Sequence, residues 1–251
     1  MISIAGFDPS AGAGILADIK TFEQLGVYGF GVCSAITLQT EDEFKGVAWI
    51  PLHQIELQLD TLLKKYDVKF LKIGLIQNLE ILDELIQSIR RKYPSVKMIW
   101  DPILRTSSGF QVHRQAGESL LYEILSQVYL VTPNSDEAKK LMQAEDALLA
   151  AKEIGRFTNV FLKSHVDSQQ EHCDVLIEEG KEYFFQTERL GGFEKHGSGC
   201  VLSAAITASL AKGLDLKHSC EEAKAYTLEF LKSSEGLLGE HHRIKLISLH
   251  A

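Results

Sequence analysis

Hydrophobic and polar positions exchange two periods along this chain. Ile2 to Gly6 is a short apolar run that stops at Phe7-Asp8-Pro9-Ser10-Ala11-Gly12-Ala13-Gly14, a stretch of turn formers. Helical spacing follows from Gly14 to Leu25, and an apolar strand-like run covers Phe30 to Leu38. The exchange repeats with a helix at Leu52 to Tyr66, a strand at Lys69 to Gly74, a helix at Leu79 to Lys92 and a strand at Val96 to Asp101. A helix near Gln115 to Gln127 and a strand at Val128 to Thr132 continue it. Two helices, Asp136 to Met142 and Ala147 to Phe157, then lead to a strand at Val160 to Lys163. Asp174 to Ile177 and Tyr183 to Gln186, separated by Glu178-Glu179-Gly180-Lys181, predict a hairpin. Val201 to Lys212 is apolar almost all round, which predicts a buried helix, and an amphipathic helix from Leu216 to Leu231 follows. Strands interleaved with helices of this length predict an α/β fold, a mostly parallel central sheet with helices on both faces. With no linker, repeat or low-complexity stretch, residues 1–251 read as one domain.

Composition narrows the partners. The chain has 251 residues, 45% of them hydrophobic, enough for a sizeable core. A net charge of -8 argues against nucleic acid or an anionic membrane surface, because both attract basic faces. A small anionic ligand is still compatible, since a few local donors can override the global charge. Cys33, Cys173, Cys200 and Cys220 have neither metal-site nor disulfide-framework spacing and are expected as free thiols. Met1 leads into Ile-Ser-Ile-Ala-Gly without a basic leader, and no stretch is apolar enough to span a bilayer, so the expected location is the cytoplasm.

The chemistry concentrates at His196-Gly197-Ser198-Gly199-Cys200. A glycine turn entering a helix leaves backbone N–H groups unpaired with the positive end of the helix dipole behind them, which makes an anion site. Cys200 falls in the first turn, where the same field favours thiolate over thiol; the alternative is a small apolar filler. Gly12-Ala13-Gly14-Ile15-Leu16-Ala17 fits the dinucleotide pattern G-x-G-x-x-A. The following strand lacks the acidic residue that would hold a ribose, so the glycines are read as allowing close approach of backbone to a ligand. In open parallel sheets, ligands gather beyond the carboxyl ends of the strands. Those ends supply the loop at Asp8 to Gly14, Gln39, Gly74-Leu75, Asp101-Pro102, Thr132-Pro133-Asn134, Lys163 and finally Gly197 to Cys200. Asp101, Asn134 and Glu137 offer oxygen ligands of the type Mg²⁺ prefers, while turn and cap chemistry explains each singly. An anion hole, carboxylates and a lysine form the parts for phosphoryl transfer, yet no G-x-x-x-x-G-K-[ST] is present.

The ordered motifs resemble the hydroxymethylpyrimidine and phosphomethylpyrimidine kinases of thiamin synthesis, within the ribokinase-like superfamily. The resemblance rests on Ile4 to Ile15, Ala17-Asp18-Ile19-Lys20-Thr21-Phe22, Lys72-Ile73-Gly74, Asp101-Pro102-Ile103, Thr132 to Ala138 and His196 to Cys200. It implies a ribokinase-like domain using ATP and Mg²⁺ on a small pyrimidine. By the same resemblance Cys200 takes the hydroxyl proton, and Gly197, Ser198 and Gly199 bind the transferring phosphate. Asp18 and Gln39 hold the aminopyrimidine, with Gly6, Gly12 and Leu75 around it. Asn134, Lys163 and His196 serve the nucleotide, and Asp101 and Glu137 the metal. Family members are often homodimers, and Val47-Ala48-Trp49-Ile50 is the expected edge strand at such an interface.

The chain departs from the family pattern at four places. Ser198 replaces Thr, Ala11 replaces Gly, and Leu75 replaces Met. Leu162-Lys163-Ser164-His165 stands where Lys-Gly-Gly-His is common, so that Lys163 is expected to sit differently against ATP. A pyridoxal kinase of the same family and a non-catalytic pyrimidine-binding protein are the competing readings. Trp49 and Trp100 are expected in the core, Cys33 as a small hydrophobe, and His241-His242 facing solvent.

Overall fold

The computed structural model describes residues 1–104, 117–166, 172–186 and 194–242. The first half contains β1 (Ile2–Phe7), α1 (Gly14–Gln24), β2 (Phe30–Gln39), β3 (Phe44–Trp49), α2 (Leu52–Leu63), β4 (Phe70–Ile73), α3 (Leu79–Lys92) and β5 (Lys97–Trp100). The second half adds α4 (Glu118–Gln127), β6 (Leu130–Val131), α5 (Ser135–Met142), α6 (Ala147–Ile154), β7 (Asn159–Val166), β8 (His172–Glu178), β9 (Lys181–Gln186), α7 (Ser198–Ala211) and α8 (Leu216–Lys232). One sheet runs in the order β3-β2-β1-β4-β5-β6-β7-β8-β9. β2 to β7 are parallel neighbours, with β3 antiparallel at one edge and β8 and β9 antiparallel at the other. The chain passes from β1 outward to β2 and returns to the far side of β1 as β4, which opens a crevice at the carboxyl ends of these strands.

Alternation along the strands feeds two cores. Met98 and Trp100 face the layer of α2 to α6, while Ile99 between them faces α1, α7 and α8. α7 is buried on every side because α1 and α8 flank it and the sheet lies beneath, which is why its sequence has no polar face. Side-chain caps start the outer helices: Asn78, Asp146 and Asp215 each accept from a backbone N–H of the first turn. The β8–β9 hairpin turns on Glu179 and Gly180, both with positive φ, as a two-residue connection requires.

Several expectations are corrected. α2 stops at Leu63 and α6 at Ile154, each short of the apolar period, α6 because Gly155 ends it. The expected start of α4 at Gln115 lies outside the described residues. Trp100 is in the core, but Trp49 is half-buried because β3 is an edge. His241 does not face solvent. Its Nδ1 lies 2.9 Å from the Tyr226 hydroxyl, its ring packs on Phe230, and burial pulls its pKa down to about 4. His242 is exposed beside Glu240.

The sheet carries a charge at its centre. Lys72, in the middle of β4, is fully buried, and its Nζ lies 2.8 Å from both carboxylate oxygens of Asp18 on α1. Ser3 of β1 donates to the same carboxylate. Burial alone would lower the Lys72 pKa, but the Asp18 carboxylate paired with it and Asp101 nearby outweigh it and hold the ammonium protonated. Removing one partner of such a pair strands a charge in the interior. Lys72→Met is therefore expected to cost about 3–5 kcal/mol in urea unfolding. Lys72→Met combined with Asp18→Leu should recover most of that loss, whereas additive losses would mean the two groups do not stabilise each other.

Candidate active site

The loop after β1 and the turn before α7 meet through backbone contacts that need glycine. Gly197 has φ +74, and a Cβ there would lie 2.2 Å from the Gly12 carbonyl oxygen. Gly14 has φ +60, and a Cβ there would lie 2.2 Å from the Gly6 carbonyl oxygen. Two helix N-termini are thereby brought together, α1 beginning at Gly14 and α7 at Ser198. Neither has a side-chain cap, and the Gly14 N–H donates to the Cys200 sulfur. Asp8 ties the two segments: its carboxylate accepts from the N–H groups of Ser10 and Ala13 and lies 2.8 Å from His196 Nε2. Burial would raise the Asp8 pKa, but these partners hold it below the usual range.

Beyond the strand ends lie two cavities. The smaller, about 250 Å³, is walled by Gly6, Asp8, Gln39, Leu75, His196 and Cys200, among others. The larger, about 650 Å³, lies between α8 and the β7–β9 edge, with Leu202, Leu228 and Leu231 on one side and Asp174 and Gln186 on the other. Asn134, Lys163, Ser198 and Gly199 line both. The junction of the two cavities is thus the glycine turn faced by a lysine. Lys163 Nζ would lie 3.4 Å from a Cβ at Gly199.

The carboxylates beside this junction differ in their surroundings. Asp101 accepts from Lys163 at 2.8 Å, Thr132 at 3.0 Å and Ser203 at 3.0 Å. Burial would raise its pKa, but Lys163 and Lys72 hold it low. Glu137 forms a capping box with Asn134: its carboxylate accepts from the Asn134 N–H at 2.9 Å, and Asn134 Oδ1 accepts from the Glu137 N–H at 2.8 Å. The capping role and a place on the smaller cavity's wall coexist in these two residues. Burial pushes Glu137 up to about 7, a desolvated carboxyl beside which added positive charge would be stabilised.

Three residues sit differently at this site from what the sequence leads one to expect. Cys200 is a buried thiol, pushed up to about 11; desolvation outweighs Lys72 beneath it and the helix N-terminus around it. Asp18 is fully buried with Lys72 and is not on the wall of either cavity. Gly12 lies behind the wall, against Gly197. Lys163, despite the altered segment around it, stands at the junction. Ser164 beside it takes φ +55, and its N–H donates to Asp174. The loop from Asp8 was expected at the site, but Lys72 escaped the sequence reading as a functional group. A lysine inside the apolar run Phe70-Leu71-Lys72-Ile73 was the available signal, since a charge on a buried strand needs a partner.

The chain and its fold have known relatives. Residues 8–245 match the model of the phosphomethylpyrimidine kinase family. A hydroxymethylpyrimidine/phosphomethylpyrimidine kinase of Aquifex aeolicus is 32% identical over 94% of this chain and 95% of its own. The crystal structure of a phosphomethylpyrimidine kinase from Clostridium difficile superposes with a TM-score of 0.78 at 28% identity, covering 91% of this chain and 97% of that one. Pyridoxal kinase from Staphylococcus aureus in complex with ADP gives a TM-score of 0.81 at 26% identity, over 98% and 94% of the two chains. With a matching family model over nearly its whole length and a ribokinase-like sheet, this chain belongs to the phosphomethylpyrimidine kinase family of phosphotransferases.

Proposed function

We propose that this protein transfers the γ-phosphate of ATP to 4-amino-5-hydroxymethyl-2-methylpyrimidine and to its monophosphate, in thiamin diphosphate synthesis or salvage in the cytoplasm. The observation that carries this reading is the pair of cavities joined at the glycine turn and Lys163. The smaller suits a single ring and the larger a nucleotide, so that the phosphoryl group crosses between them. Gln39 on the smaller wall can donate to a ring nitrogen and accept from an exocyclic amino group. Mass spectrometry of the products after incubation with ATP, Mg²⁺ and the free pyrimidine tests this. Mono- and diphosphate products are expected; much faster turnover of pyridoxal would overturn the pyrimidine assignment, and binding without ADP release would overturn the kinase.

Phosphoryl transfer depends on positioning and charge neutralisation. The backbone N–H groups of the turn receive the transferring group, and Lys163, fixed by Asp101, faces it. Bound Mg²⁺ supplies further neutralisation of phosphate charge. Glu137 fits such an ion held mostly by phosphate and water. Asp101 already engages three donors and acts chiefly by holding Lys163.

Cys200 is the proton acceptor for the hydroxyl in this reading, and its raised pKa sets the pH dependence. The active form is the thiolate, so below about 11 the rate of alcohol phosphorylation should climb as pH rises. Cys200→Ala should lower kcat by about 10²-fold, flatten that climb and leave ATP affinity within about threefold. A wild-type rate independent of pH between 7 and 9.5 would remove Cys200 from the role.

We also place a dimer interface on the edge of the sheet. Phe7, Ile36 and Ala48 form a paired row across β1, β2 and β3, with Leu38 beside it, and all four are exposed. Such an apolar strip fits a second copy of the chain. Light scattering at micromolar concentration should give twice the mass of 28.0 kDa, and Ile36→Glu combined with Leu38→Glu should give the monomer; a wild-type monomer would refute it.

A further inference from the structure

The roles above leave Lys195 unused, although it stands two residues before Gly197 and only 6% of its surface is exposed. It lies on the wall of the smaller cavity with Asp8 and His196, and is not on the wall of the larger one. Its ammonium donates to the carbonyl oxygens of Ser234 at 2.6 Å and Gly236 at 2.5 Å. An ammonium has three donors, and these carbonyls engage two of them. The other two buried lysines among the described residues, Lys72 and Lys163, each have a carboxylate at 2.8 Å. No described carboxylate lies within ion-pair distance of Lys195. Two neutral carbonyls fix the position of this charge without cancelling it, and a buried cation without a counter-ion is ordinarily costly.

We propose that Lys195 is the counter-charge for an anionic acceptor: it binds the phosphate of the pyrimidine monophosphate and thereby selects for the second phosphorylation. The inference rests on the acceptor assigned above. The two steps make different demands on the site. In the first, a hydroxyl oxygen attacks the γ-phosphorus, the bond from that phosphorus to the β–γ bridging oxygen breaks, ADP leaves with the electron pair, and the hydroxyl proton must be taken up. In the second, the nucleophile is an oxygen of a phosphate monoester, close to a dianion at pH 7. No proton has to leave it. An anhydride bond forms as the same bridging bond breaks, and the obstacle is repulsion between two anions. A lysine on the acceptor side, away from the junction held by Lys163, reduces that repulsion and adds nothing for a neutral alcohol.

The test compares kcat/KM for the free pyrimidine and for its monophosphate, with ATP, in wild type, Lys195→Gln and Lys195→Arg. The glutamine amide keeps N–H donors for the carbonyls and removes the charge. Lys195→Gln should lose at least about tenfold on the monophosphate while changing the alcohol by less than about threefold, and Lys195→Arg should recover most of the loss. Equal losses on both acceptors would show that Lys195 only ties the segment at Ser234 to the turn, and no loss on either would show that it does nothing for the acceptor; both overturn the proposal. Should Lys195→Gln fail to fold, calorimetry on wild type without ATP decides: the monophosphate should bind at least about tenfold more tightly than the free pyrimidine, and equal affinities overturn the proposal. Tight monophosphate binding with no turnover of either compound would instead refute the kinase and leave the Lys195 site standing.

Discussion

The centre of this protein is a layer of charge laid under the carboxyl ends of a parallel sheet, and its geometry is set by the need to pair Lys72 and Lys163 with carboxylates at close range. Lys72 reaches Asp18 from β4, and Lys163 reaches Asp101 from the end of β7, each at 2.8 Å. These pairs join elements that are far apart in sequence: β4 to α1, β7 to β5, and through Ser203 α7 to β5. An isolated ion pair in an apolar interior can cost more in desolvation than it returns. Here the extra hydroxyl donors of Ser3, Thr132 and Ser203 complete the carboxylates' coordination, which is the condition under which such burial is tolerated. The strand ends are therefore fixed relative to one another before any ligand arrives, and fixed donors are what stabilise developing charge.

The same burial decides the state of Cys200. Two effects oppose each other at the sulfur: the positive ends of two helices with the Lys72 ammonium nearby, and removal from water. A helix terminus contributes modestly and acts over about one turn, while full burial can move a thiol by several units. Desolvation prevails, and the resting site holds a neutral thiol. A phosphoryl transfer in which the hydroxyl proton leaves late does not need a strong base at the outset.

The alternation of strands and helices, the helices on both faces and the glycine turn were legible from period and punctuation, because hydrophobic alternation and glycine placement are local properties of the chain; the order of strands in the sheet was not. The capping chemistry of Asn134 was legible too, because a cap is a relation between residues three apart. Burial was not legible. Nothing local in the sequence shows that Asp18 points inward to a lysine 54 residues away, that Cys200 is dry, or that His241 tucks under Tyr226. The larger cavity also escaped notice, because it is made by the face of α8 against a sheet edge and no motif marks either.

The places where glycine was expected show how far backbone geometry outlasts the residue that makes it easy. Ala11 and Ser164 both adopt left-handed φ, +57 and +55, where the family pattern has glycine. Such a conformation costs a residue with a Cβ on the order of 1 kcal/mol, so each must be held by its surroundings. The Ala11 N–H is bonded to the Asp8 carbonyl, and the Lys20 ammonium caps its own carbonyl. The Ser164 N–H is bonded to Asp174, and its carbonyl accepts from Ser135. At Gly14 and Gly197, by contrast, a Cβ would strike a carbonyl oxygen at 2.2 Å. Torsional strain can be offset by hydrogen bonds and a steric collision cannot, which is why the chain gives up glycine at the first pair of positions and keeps it at the second.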